Sequence, residues 1–117
     1  MAGQPLAIYM GDDAQNEYVY KFVTAAKWNA ADAQPADRVA TGDKYLDAGT
    51  LYVARFNADG TGTWLELSMA NPAVSGYASY AFADQGDIAI NARIAADAAG
   101  ATKMDRPEWC SVNPKNG

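Results

Sequence analysis

Histidine is absent from this chain. That removes Ser-His and Cys-His nucleophile pairs and every imidazole ligand for zinc, so any catalysis must use carboxylates, arginine or a metal. Cysteine occurs once, at Cys110, which leaves no internal disulfide and no pair of thiols at metal-binding spacing. Its place beside Trp109 and Val112 predicts a small buried hydrophobe in an apolar strand rather than a reactive thiol. Basic residues are few and scattered, nine Lys and Arg against fourteen Asp and Glu, for a net charge of -5. A duplex-binding protein draws affinity from a basic face that neutralises phosphates, so nucleic acid is not an expected partner. No segment approaches the roughly 18 uninterrupted apolar residues of a membrane helix, so no membrane partner is expected either. The N-terminus shows no basic region followed by an apolar core, and nothing there reads as a signal peptide.

What the sequence does contain is an ordinary globular composition. Half of its 117 residues are apolar or aromatic, and a chain of this length suits one small domain that buries about two-thirds of its unfolded surface. Asp outnumbers Glu eleven to three. Asp favours turns, caps and calcium loops over helix interiors, so the acid excess points first to turns and only then to metal binding. Both ends read as cut from a larger domain: an apolar run begins directly after Pro5, and Asn113-Pro114-Lys115-Asn116-Gly117 has the composition of a turn before another strand.

Strand signals dominate the first two-thirds. Leu6 to Met10 and Tyr18 to Val23 carry the β-branched and aromatic residues of pleated surfaces, and are expected to form an antiparallel hairpin. Residues 26–49 mix Ala, Asp, Pro and Gly without a sustained period and read as a long surface loop with one helical turn. Leu51 to Phe56 and Thr63 to Leu67 flank Asn57-Ala58-Asp59-Gly60-Thr61-Gly62, whose glycines suit a tight hairpin turn. This turn superficially resembles a calcium loop but lacks the later bidentate acid. Four short antiparallel strands in succession fit a propeller blade or part of a sandwich. Residues 84–99 then read as a helix capped by Asp84 and stopped at Gly100, with Ile88, Ala92 and Ala95 on one face. Most of the three Trp and seven Tyr residues fall at strand positions where packing explains them, and no sugar platform is assigned.

The segment Asp105-Arg106-Pro107-Glu108-Trp109 sets a permanent cation and a carboxylate two residues apart. Proline at 107 disfavours helical geometry at Arg106, and in an extended segment residues i and i+2 project to one side. On that reading Arg106 and Glu108 face one space, where a guanidinium fork suits phosphate oxygens and a carboxylate suits a hard cation such as calcium. An exposed loop ion pair fits the same spacing. Asp12 and Asp13, adjacent on a turn, are either metal ligands or a plain Asx turn. Glu17 is either an outer ligand or one half of an exposed pair with Lys21.

Four segments, Ile8-Tyr9-Met10-Gly11-Asp12-Asp13, Asn16-Glu17-Tyr18-Val19-Tyr20-Lys21-Phe22, Gly49-Thr50-Leu51-Tyr52-Val53-Ala54-Arg55-Phe56-Asn57-Ala58-Asp59-Gly60 and Met104-Asp105-Arg106-Pro107-Glu108-Trp109, resemble consecutive motifs of the PhoX-type alkaline phosphatases, in that family's order. The resemblance implies a mainly β fragment of 1–117, one β-propeller blade of antiparallel strands plus the first strand of the next, with a single helix near the C-terminal third. It implies hydrolysis of a phosphate ester substrate at a calcium and iron cluster, with Arg106 contacting phosphate and Glu108 coordinating metal; Asp13 and Asp12 stay metal candidates from their turn alone. It further implies a periplasmic or extracellular parent. Two departures limit it: the other metal ligands of the family have no counterpart here, and Cys110 falls after the Arg-Pro-Glu motif rather than upstream of it. A noncatalytic, self-associating or ligand-binding blade therefore stays open. Unpaired strand edges would favour a homo-oligomer with concentration-dependent assembly.

Overall fold

The computed structural model describes residues 2–115. Six strands and four helices follow one another as β1 (Pro5–Met10), β2 (Gln15–Glu17), β3 (Tyr20–Lys27), α1 (Arg38–Leu46), β4 (Gly49–Phe56), β5 (Gly62–Glu66), α2 (Pro72–Ser75), α3 (Gln85–Ile90), α4 (Ala92–Ala99) and β6 (Met104–Asp105). The architecture is mainly antiparallel β with helices on one side. The main sheet has the order β1-β3-β4-β5, and β2 pairs with β6 in a separate two-stranded ribbon.

Register fixes which face of the main sheet is buried. Met10 lies opposite Tyr20, Tyr20 opposite Val53, and Val53 opposite Leu65. Because side chains alternate across a strand, these residues share one face with Ile8, Phe22 and Leu51. Near β4 and β5 that face meets the helices, where Tyr18, Val53, Leu67, Val74, Phe82, Ile88, Ala95 and Ala96 form the core. The opposite face carries Tyr9, Lys21, Tyr52 and Trp64. The Lys21 ammonium sits 4.4 Å from the Trp64 ring centre and 5.0 Å from that of Tyr52, a geometry in which the ring quadrupoles attract the cation.

The β4–β5 hairpin follows the turn chemistry of its sequence. Gly60 adopts φ +84, Asn57 N–H donates to the Thr61 carbonyl at 2.8 Å, and the Asp59 carboxylate accepts from the Thr61 N–H and hydroxyl. β1 and β3 pair antiparallel as expected, but the chain between them detours through β2 instead of closing a plain turn.

Three sequence expectations need correction. Residues 26–49 hold more order than a loop with one helical turn: a 3-10 turn spans Ala30–Ala33, and the nine-residue α1 is capped by Asp37, whose side chain accepts from the N–H groups of Val39 and Ala40. The helix expected over 84–99 is two helices. Asp84 caps the first and Gly100, at φ +72, ends the second, but Asn91 breaks the run with ψ +39. The Asn91 amide donates to the Asp87 carboxylate at 2.8 Å and to the Asp87 carbonyl at 3.2 Å, the side-chain competition with backbone that makes Asn unfavourable inside helices. Trp109–Val112 is not a strand, and Cys110 is exposed. Among the described residues no strand pairs with this segment, and apolar sequence alone does not satisfy a strand's backbone groups.

Candidate functional site: an arginine and an aspartate joined across two loops

The site begins just ahead of β3. The chain arrives from β2 and joins the lane beside β4 only at Val19, whose carbonyl accepts from the Ala54 N–H, so the lane beside the end of β4 is left vacant. The segment after α4 enters that vacated lane. Thr102 N–H donates to the Ala54 carbonyl at 3.1 Å, and the Thr102 hydroxyl accepts from the Phe56 N–H at 2.9 Å. Backbone groups that β3 would have paired are thereby satisfied, and the chain is aimed from Lys103 into β6 alongside β2.

The ribbon is irregular. Gln15 pairs with Asp105 and Glu17 with Met104, with Asn16 bulged between them at φ +62. Asn tolerates this left-handed geometry better than most residues. Arg106, directly after β6, takes φ +52 and donates its N–H to the Ala14 carbonyl at 3.1 Å. Asn16 and Arg106 are the positive-φ non-glycine residues among those described, and both belong to this junction. Such conformations persist where surrounding structure over-determines them, and they cluster at functional sites.

Arg106 is therefore not extended, as Pro107 led the sequence reading to expect. The ribbon pairing and the Ala14 bond override the preference imposed by the following proline. Glu108 N–H folds back onto the Arg106 carbonyl at 2.9 Å, closing a three-residue turn around Pro107. With no extended backbone, the alternation that would align the Arg106 and Glu108 side chains does not apply.

Instead, Arg106 faces Asp13. Its Nη1 donates to the Asp13 carboxylate at 3.1 Å, and its Nε lies 3.8 Å from the Asp105 carboxylate. Two residues 93 positions apart thus meet at the surface, each about half exposed. The close approach of their loops depends on Gly11. A Cβ there would sit 1.6 Å from the Pro107 carbonyl oxygen, so the backbone of one loop rests directly on the other. Asp12 and Glu108 are exposed beside this contact.

Glu17 departs from both sequence readings. It is buried and its carboxylate accepts from Arg93 Nε of α4 at 3.1 Å, while Lys21 lies on the far aromatic face. One residue later, the buried Tyr18 donates its hydroxyl to the Asp97 carboxylate at 2.5 Å, and Lys103 Nζ meets the same oxygen at 2.9 Å. Burial works to raise the Asp97 carboxyl, but the Tyr18 hydroxyl and the Lys103 ammonium outweigh it and hold the group below the usual carboxylate range. Burial first, then the bond to Asp97, pushes the Tyr18 phenol far above its ordinary value. Nothing in the spacing of Tyr18, Asp97 and Lys103 signals this cluster; the one local cue is Arg93 and Asp97 at i and i+4, hence on one helix face.

The antiparallel sheet thus feeds two loops into one exposed arginine-carboxylate pair. The chain belongs to the alkaline phosphatase PhoX family, whose model matches residues 2–117. It is similar to the solved structure of Pseudomonas fluorescens PhoX in complex with vanadate, a transition state analogue, at 43% identity and a TM-score of 0.77 over 100% of this chain. The chain spans 20% of that protein's length. No curated protein matches it.

Proposed function

We propose that this chain supplies one part of a phosphate ester hydrolase site, with Arg106 as the phosphate-contacting residue and Asp13, Asp12 and Glu108 as carboxylates directed to metal. The observation that carries the reading is the meeting of Asp13 and Arg106 across the Gly11–Pro107 contact, which joins two motifs from opposite ends of the sequence. A guanidinium held by carboxylates has further donors free for phosphate oxygens, and its charge would stabilise the negative equatorial oxygens of a phosphoryl group under attack.

The metals of this reading are calcium and iron, supported by the family alone. The donor chemistry fits calcium, which takes carboxylate and carbonyl oxygens. The donor number does not complete a site, because among the described residues no group of three His, Cys, Asp or Glu is placed to hold an ion. Within a longer protein the remaining ligands would come from other segments, the main sheet would serve as one propeller blade, and the site would work outside the cytoplasm. When bound, such cations would polarise phosphoryl oxygens.

A noncatalytic blade is the second reading, favoured by the unpaired outer edges of β1 and β5 among the described residues and the half-exposed Tyr9 and Phe56. Calorimetric titration of calcium into the chelator-treated chain, with Glu108→Gln alongside, separates the two. The reading as part of a hydrolase site expects saturable binding that the variant weakens at least about tenfold, as for loss of one carboxylate ligand. No binding to the folded wild-type chain would leave the blade reading.

A further inference from the structure

We infer that Asp97, which belongs to neither loop of the proposed site, is a positioning residue that sets the separation of Asp13 and Arg106. The inference rests on the phosphate reading only for its consequence and on geometry for its substance. Asp97 lies on α4 and binds both limbs of the β2–β6 ribbon at once. The Tyr18 hydroxyl reaches it from the residue just after β2, and the Lys103 ammonium reaches it from the residue just before β6. The same helix face anchors β2 a second time, through Arg93 and Glu17 one turn earlier.

Beyond this anchor the ribbon contributes little rigidity of its own. It has two registered pairs and one bulge, at the left-handed Asn16, and a short two-stranded ribbon is marginal in water. Asp13 extends from one limb, two residues before β2, and Arg106 from the other, directly after β6. Drawing Tyr18 and Lys103 to a single carboxylate oxygen brings these limbs to a fixed spacing, which the Arg106 N–H bond to Ala14 then records. Asp97 itself is four-residue-spaced from Arg93 on a helix rooted in the core by Ala95 and Ala96, so the spacing is referred to the buried core.

Amide hydrogen exchange reads this directly. The Arg106 amide reports the junction, and the Leu67 amide, bonded to the Leu51 carbonyl at 2.9 Å, reports the core sheet. In Asp97→Ala, and in Tyr18→Phe as the variant that keeps the buried ring, Arg106 exchange is expected to accelerate about tenfold while Leu67 is unchanged, as for a local opening. Affinity for inorganic phosphate in the presence of calcium, measured by calorimetry on the same samples, is expected to weaken severalfold. Unaltered Arg106 exchange would overturn the inference, and so would equal acceleration of Arg106 and Leu67, which is general destabilisation. Accelerated Arg106 exchange in the variants, with no phosphate binding even in the wild-type protein, would uphold the positioning role and refute the phosphate reading.

Discussion

The core beneath β4 and the ribbon beside it are built on opposite principles. Around Leu67, Val53 and Ile88, all fully buried, order comes from close apolar packing between sheet and helices. At the ribbon, order comes from a few directed bonds: Glu17 to Arg93, Tyr18 and Lys103 to Asp97, Asp13 to Arg106. Apolar packing tolerates small rearrangements of its neighbours, whereas directed bonds fix particular atoms at particular distances. A site that must hold an oxyanion against charged groups needs the second kind of order, and it stands here on a platform made by the first.

The largest expected effect lies on the platform. Leu67→Ala removes a fully buried side chain from the centre of the core and leaves a cavity. Substitutions of this type cost roughly 2–5 kcal/mol, and chemical denaturation should show a loss in that range. If the two regions are organised as described, the variant below its unfolding transition keeps the Arg106–Asp13 pair. A junction that dissolves while the core is still folded would show that it depends on packing rather than on its own bonds.

Gly11→Ala should act the other way round. A Cβ 1.6 Å from the Pro107 carbonyl oxygen meets backbone, which has no rotamer to escape into, so the loops must part. Overpacking of this kind costs about 1–3 kcal/mol, and most of it should be relieved locally because both loops are exposed. The expected signature is chemical-shift change confined to residues 10–17 and 103–108, with modest loss in unfolding free energy. Changes spreading through β4 and β5 would erase the distinction between the regions.

How much of this contrast was legible beforehand follows from the range of the forces involved. The β4–β5 hairpin, the Asp84 cap and the Gly100 stop depend on residues within a few positions, and the sequence displays them openly. The antiparallel pairing of β1 with β3 was equally readable, because both strands carry the pleated pattern. α1 was hidden by the Asp, Pro and Gly around it, although its cap at Asp37 is a local signal. The break at Asn91 required knowing that its amide would turn to Asp87. Arg106 was misread because the proline rule is local while the ribbon that overrides it is formed with residues 90 positions away. Cys110 and Trp109 look like core to any reading by hydropathy, yet exposure is decided by whether a partner strand is present. Arg106 stands out by its spacing around Pro107 and by the family motif it matches, and Asp13 by its turn; that they face each other could come only from the fold.

Arg106→Ala gives the smallest expected change in stability and the sharpest view of the junction. The Arg106–Asp13 pair is about half exposed on both sides, and exposed pairs contribute roughly 0.2–1 kcal/mol. Alanine at position 106 inherits the same left-handed backbone, so the strain there is unaltered and only the side-chain interactions are lost. Unfolding free energy should therefore move by no more than about 1 kcal/mol. Calcium binding should move in the opposite sense. In the wild-type protein the guanidinium competes with any cation for the Asp13 carboxylate, and removing it frees that oxygen and withdraws a nearby positive charge. Calorimetric titration should show calcium bound severalfold more tightly by Arg106→Ala, an advantage that shrinks as salt screens the lost repulsion. Unchanged calcium affinity would mean that Asp13 serves Arg106 alone, making their contact a surface ion pair on the ribbon rather than the meeting point of a cation and an anion.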